Sequence, residues 1–215
     1  MKQDRLGQLT DGIFAIVMTL LIFEIRLPRI DTPVTNESLL YGLEHTIPLF
    51  LSYLLSFLVL FTFWKSHHFI VSVYAKNIDL EVTNSNAVFL FFVALIPFTS
   101  HVLGQFPDTE VAIGIYALNI VAIGLALFWM RHHILYSQNI ENPSFTRREM
   151  RNGAVRVMLP VVCAILAFGL SFWSTTLALV ILTFSIMYNL FPQSSKLNNA
   201  FLDPIWPVPE DKKTN

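Results

Sequence analysis

Arg5-Leu6-Gly7-Gln8-Leu9-Thr10-Asp11-Gly12-Ile13-Phe14-Ala15-Ile16-Val17-Met18-Thr19-Leu20-Leu21-Ile22-Phe23-Glu24 decides how this chain is read. Its apolar core runs from Ile13 to Phe23 and is too short to cross a bilayer, which takes about 20 residues. A spanning helix here, over about residues 4–27, must carry Thr10 and Asp11 into or close to the membrane. An ionisable group at that depth is costly, so it faces protein or water and commonly marks function. At helical spacing Gly12, Ile16, Thr19, Leu20, Phe23 and Leu27 form one stripe. Asp11 falls nearer the stripe of Ala15, Met18 and Ile22. One face is thus bulky and apolar with a single threonine, and another bears the carboxylate. Taken by itself, this pattern also fits a helix whose faces simply pack against neighbours.

Working outward, the composition places the whole chain in the membrane. Of its 215 residues, 54% are hydrophobic and only 13% charged, where soluble domains average about 25% charged. The reading is all-α and polytopic, with six spans near residues 4–27, 46–72, 80–105, 110–136, 152–173 and 175–191. Pro28 and Pro33 close the first. Pro48 falls in the first turn of the second, where its missing N–H costs little. Pro97 and Pro160 lie inside the third and fifth, where kinks are expected. Residues 1–191 form one transmembrane domain. Residues 192–215 form a polar, proline-containing tail, partly ordered, with Lys212 onward disordered. Cys163 sits in an apolar segment, where packing is its expected role.

Twelve of the fourteen basic residues fall before the first span or after the second, fourth and sixth; only Arg26 and Arg29 lie on the other side. The positive-inside rule then puts both termini in the cytoplasm. Asp31, Glu37, Glu44, Asp108 and Glu110 face outward, either as ordinary solvated loop charges or as a rim that attracts cations. The net charge of −1, divided between two membrane faces, gives no sign of a nucleic-acid partner. Arg147, Arg148, Arg151 and Arg156 flank the fifth span, where they set topology and can meet anionic membrane lipid. The sequence has no dinucleotide, P-loop or metalloprotease motif, no Thr-Val-Gly-Tyr-Gly filter and no signal-peptide cleavage pattern.

The second span ends Phe63-Trp64-Lys65-Ser66-His67-His68-Phe69. Either histidine can share the Trp64 face, at steps of three or four. Adjacent histidines point apart, which argues against a structural metal held by the pair, and the same holds for His132 and His133. In the third span, Asn84-x-Asn86-x2-Phe89 leads to Pro97-Phe98-Thr99. A lone intramembrane Asn most often bonds between helices, for about 0.6 kcal/mol.

The pattern Arg5-x3-Leu9-Thr10-Asp11-Gly12, continuing through Phe14-Ala15-Ile16-x2-Thr19-Leu20, resembles the Arg-x3-Phe-Ser-Asp-Gly signature of the lysosomal potassium channel family, transmembrane protein 175, in its single-repeat prokaryotic branch. Leu9 and Thr10 replace the usual Phe and Ser. Trp64, His67 or His68, and the Asn86 segment extend the resemblance over the first three spans; the last three match in number and length. The resemblance implies a homotetrameric, modestly potassium-selective cation leak channel in a prokaryotic inner membrane. It implies a central pore lined by the first span, with no enzyme activity and no cofactor. It places the constriction at Ile16, Leu20 and Phe23 and the pore threonine at Thr19, with permeating potassium near Ile16 and Thr19. Phe23 stands where the family usually has an aliphatic residue. It also implies a helix-anchoring polar network of Arg5, Thr10, Asp11, Trp64, His67 or His68, and Asn86. A narrow apolar ring blocks ions by dewetting and passes them when it widens. The alternatives are a proton-permeable channel and a proton-coupled secondary transporter. The latter would use paired interrupted helices, which the sequence does not display. A membrane enzyme built on Asp11 and a histidine lacks a second carboxylate or a metal set at the same depth.

Overall fold

The computed structural model describes residues 3–30, 32–141, 146–191 and 194–204, and among these it is wholly helical. Helix α1 spans Gln3–Leu20 and tightens into a single 3₁₀ turn, Leu21–Glu24. Its inward stripe is Leu6, Thr10, Phe14, Val17 and Leu21, at steps of three and four. The helix ends at Glu24, one turn before residue 27, because the chain becomes extended at Ile25 ahead of Pro28.

A short helix, α2 (Asn36–Glu44), lies in the connection between the first and second expected spans. Thr35 and Ser38 cap it reciprocally. Helix α3 covers Ile47–Phe69 with Pro48 in its first turn, and it widens into a π-helical turn, Ile70–Tyr74. The third span is divided into α4 (Leu80–Ala94) and α5 (Ile96–Gln105), with the break at Leu95 and Pro97 in the first turn of α5. Pro97 therefore starts a new helix rather than bending one.

Helix α6 (Glu110–Tyr136) packs against α4, α5 and α7 and carries the densest burial. Helix α7 runs Arg147–Ser171 and starts about one turn earlier than the expected residue 152. The reason is a capping box: Thr146 Oγ1 accepts from Glu149 N–H, and Glu149 Oε2 accepts from Thr146 N–H. Pro160 does not break α7. The carbonyl it leaves free, Arg156 O, accepts from Asn189 Nδ2 of the next helix at 3.2 Å. A turn at 172–174 leads to α8 (Thr175–Leu190), capped by Ser174.

Among the described residues, five helical segments are long and apolar enough to cross a membrane: Gln3–Glu24, Ile47–Tyr74, Leu80–Gln105, Glu110–Tyr136 and Arg147–Ser171. Helix α8 is apolar but shorter, at 16 residues. Beyond it, within the expected tail, α9 (Ser194–Leu202) docks on α7 and α8. Arg151 Nη2 donates to Asp203 Oδ1 (2.6 Å) and Asn199 Oδ1 (3.1 Å), and Arg148 pairs with Asp203 Oδ2 (3.1 Å). The expectation for Lys212 onward lies outside the described residues.

Small residues set the closest helix approaches. A methyl on Gly104 of α5 would meet Ser52 Oγ and the Leu49 backbone of α3; one on Gly124 of α6 would run into Val161 of α7. Polar pairs cross the α3–α5 interface and two of its neighbours: Ser100 Oγ to Ser52 O at 3.2 Å between α5 and α3, Ser56–Tyr116 at 3.0 Å between α3 and α6, and Asn119 Nδ2 to Thr99 Oγ1 at 3.3 Å between α6 and α5. Helix α1 joins this bundle through α3, α4 and α5 and is the least enclosed span, with 28% of its apolar window buried against 50% for α6.

Candidate functional site

The two faces of α1 have separate partners. On the inner face, Thr10 is fully buried and its hydroxyl donates to Leu6 O at 3.0 Å, within the helix. That leaves the oxygen free to accept from Asn86 Nδ2 of α4 at 3.2 Å. Asn86 Oδ1 in turn accepts from His67 Nε2 of α3 at 2.8 Å. The three side chains form a directed relay from α3 through α4 to α1. It assigns the Asn86 amide orientation and puts a proton on His67 Nε2. Phe89 supports it from below, stacked on the His67 ring at 5.3 Å and 10° and touching Phe14 at 5.9 Å.

Asp11, one residue on, is exposed and accepts from Trp64 Nε1 at 2.8 Å. His68 is exposed and stacks on Trp64 at 5.9 Å. Trp64 therefore meets Asp11 with His68 stacked on its ring, whereas His67 meets Asn86. Arg5 is exposed on the first turn, and among the described residues no hydrogen bond or ion pair joins it to Asp11. Of the residues read from sequence as one network, Thr10, Asn86 and His67 form one cluster, Asp11, Trp64 and His68 a second, and Arg5 stands apart.

Sequence reasoning missed three parts of this anchorage. Gln3 Nε2 donates to Val71 O (2.7 Å) and Ala75 O (3.1 Å), tying the start of α1 to the π turn. Phe89 stood in a quoted segment without a role. At the opposite end, Glu24 Oε2 lies 3.1 Å from His101 Nδ1 of α5. A lone His in an apolar span gives no sign of its partner, so only the fold could find that pair.

The outer face of α1 is largely exposed. Ile16 is 58% exposed, Leu20 45% and Phe23 65%. Thr19 is exposed too, and its hydroxyl donates to the helix carbonyls of Ala15 and Ile16, each at 2.9 Å. With its proton turned inward, Thr19 Oγ1 presents lone pairs outward, the polarity a cation requires. Beside this face, an open groove of about 570 Å³ separates α1 from α4, with Leu9, Ile16 and Leu20 on one wall and Ala87, Leu90 and Phe91 on the other. A single α1 cannot enclose a path, but a helix anchored on one face can present its other face to further copies.

Comparison with known proteins adds the family. Residues 5–97 match the family model described as endosomal/lysosomal potassium channel TMEM175. A potassium channel of Streptomyces collinus is 30% identical over 182 residues, covering 83% of this chain and 86% of that protein. A potassium channel of Chamaesiphon minutus is 28% identical over 177 residues, covering 81% and 86%. The mouse endosomal/lysosomal proton channel TMEM175 is 24% identical over 189 residues, covering 82% of this chain and 36% of the mouse protein.

Proposed function

The chain belongs to the TMEM175 family of potassium channels, and from that membership we propose that it is a homotetrameric cation leak channel with a modest preference for potassium over sodium. The observation that carries the proposal is the outer face of α1, where Ile16, Leu20, Phe23 and Thr19 are all exposed on a helix fixed by its other face. Four such faces around an axis make a closed ring. Helix α8 is the sixth span in this arrangement, and both termini lie on the cytoplasmic side.

The pore works without backbone carbonyls. Rings of Ile16, Leu20 and Phe23 exclude water when narrow and so block ions. When they widen, the more weakly hydrated cation sheds water at lower cost, which favours potassium. Thr19 oxygens replace part of the lost hydration. Phenyl rings at Phe23 narrow that level more than an aliphatic side chain would. The chain needs no cofactor and has no catalytic role.

The test is current through purified protein in a planar bilayer under opposed potassium and sodium gradients. The expected reversal potential is displaced toward potassium. A proton-permeable pore is the second reading, favoured by the name of the mouse relative. It predicts a reversal potential that follows an imposed pH gradient. Saturable uptake without current would defeat both and point to a proton-coupled transporter.

A further inference from the structure

Two cations line one cavity away from α1, and among the described residues neither has a carboxylate partner. The cavity, about 470 Å³, lies among the ends of α3, α7 and α8. Lys65 and Arg156 both line it. Among the described residues no ion pair includes either one. Lys65 Nζ makes one long hydrogen bond, 3.4 Å to Asn189 O, and Arg156 Nε has no hydrogen-bond partner among the described residues. Nearby arginines differ: Arg148 and Arg151 are paired with Asp203, and Arg131 donates to Met150 O beneath the Tyr74 ring. One carboxylate, Glu149, also lines the cavity, but its Oε2 is committed to capping α7 through Thr146. The lining therefore keeps an excess positive charge.

Unpaired cations on membrane-spanning helices are costly unless something neutralises them. The rest of the wall decides what kind of anion fits. Ser66, Asn152 and Asn189 stand with the cations, whereas Phe69, Val157 and Leu190 supply an apolar side. A charged floor with an apolar wall matches an amphiphilic anion. Lysine binds phosphate as a point charge and arginine through its planar fork. We propose that this cavity binds a phosphate ester anion, with Lys65 and Arg156 as its charged donors. The phosphate of an acidic membrane lipid and free phosphate share this chemistry. The site is independent of which ion the channel conducts.

The test titrates short-chain phosphatidylglycerol against detergent-purified protein and reads binding by native mass spectrometry, with phosphatidylcholine of the same chain length as the control. Phosphatidylglycerol is expected to bind more tightly than phosphatidylcholine. Lys65→Gln and Arg156→Gln should each weaken it about tenfold, the loss of one charged hydrogen bond. Ser66→Asp keeps both cations and adds a negative charge, and it should weaken binding comparably. Arg29→Gln, on an exposed residue outside the cavity, should leave binding unchanged. Size-exclusion profiles identify any variant that fails to assemble, and the remaining cavity variants then read the site. Competition by millimolar inorganic phosphate would identify free phosphate as a sufficient ligand; its absence would identify the lipid. Equal binding of the two lipids with no effect of phosphate, or an Arg29→Gln loss equal to that of the cavity variants, would overturn the proposal.

Discussion

Adjacent side chains on α1 do opposite work: Thr10 is fully buried in a hydrogen-bond relay, while Asp11 is exposed against Trp64. Replacing Asn86 by Leu removes the centre of that relay and leaves His67 Nε2 and Thr10 Oγ1 without their interhelical partner. The expected cost is about 1–3 kcal/mol, seen as a lower unfolding midpoint in detergent with no change in ion preference for the fraction that assembles. The outer face should behave in reverse. Ile16→Asn places a wettable ring at the proposed constriction and should raise current severalfold while lowering the potassium-to-sodium permeability ratio. Thr19→Ala removes the outward oxygens and should lower that ratio without loss of folding. Unchanged ratios in single-channel records would remove both residues from the proposed pathway. The histidine choice shows where sequence stops. His67 and His68 can both share the face of Trp64, and only the position of α4 makes His67 the buried one, 2% exposed.

At the scale of elements, end chemistry decided several boundaries. Asp79 caps α4 through Oδ1 to Val82 N–H at 2.9 Å, and His133 Nε2 lies 2.7 Å from its Oδ2. Burial alone would raise the Asp79 carboxyl, but the Val82 N–H and His133 outweigh it and hold it below its ordinary value of 3.8. A carboxylate with a lowered value contributes stability that is complete above its unfolded pKa and lost as pH falls through the folded one. Asp79→Ala should therefore cost about 0.5–2 kcal/mol near neutral pH. The gap between wild type and variant in a thermal melt should close as pH falls below 3.8. A gap constant with pH would show that the charge is not what stabilises this cap. Thr146-Arg-Arg-Glu149 is a capping signal written in the sequence, but hydrophobicity alone starts the helix a turn later, at about residue 152. Pro160 was not legible in the same way. Whether a proline breaks a helix depends on who takes the freed carbonyl, and Asn189 comes from another helix.

Across the whole molecule, the interior is organised on α6, and α1 is held at the side by its polar contacts and one apolar stripe. Close crossing of α5 and α3 depends on Gly104, where an added side chain meets the Leu49 backbone, which cannot move aside. Gly104→Val should cost about 1–3 kcal/mol through overpacking, read as loss of monodisperse protein on size exclusion at elevated temperature. A variant as stable as wild type would mean that the α3–α5 crossing can open without disturbing the bundle.

What the sequence determined by itself was the solvent and the periodicity. Long apolar segments with few charges can satisfy their backbone in lipid only as helices, so the all-helical fold and most span limits follow from local composition. The Thr-Asp-Gly stretch and the spacing after it also identified the family, because those residues are contiguous. The tertiary structure decided the partnerships: Asn86 with Thr10 and His67, Trp64 with Asp11, Glu24 with His101, and Lys65 with Arg156 around one cavity. These groups lie tens of residues apart on helices whose relative rotation is set by packing. No local pattern encodes that rotation, because it is a property of the assembled interior.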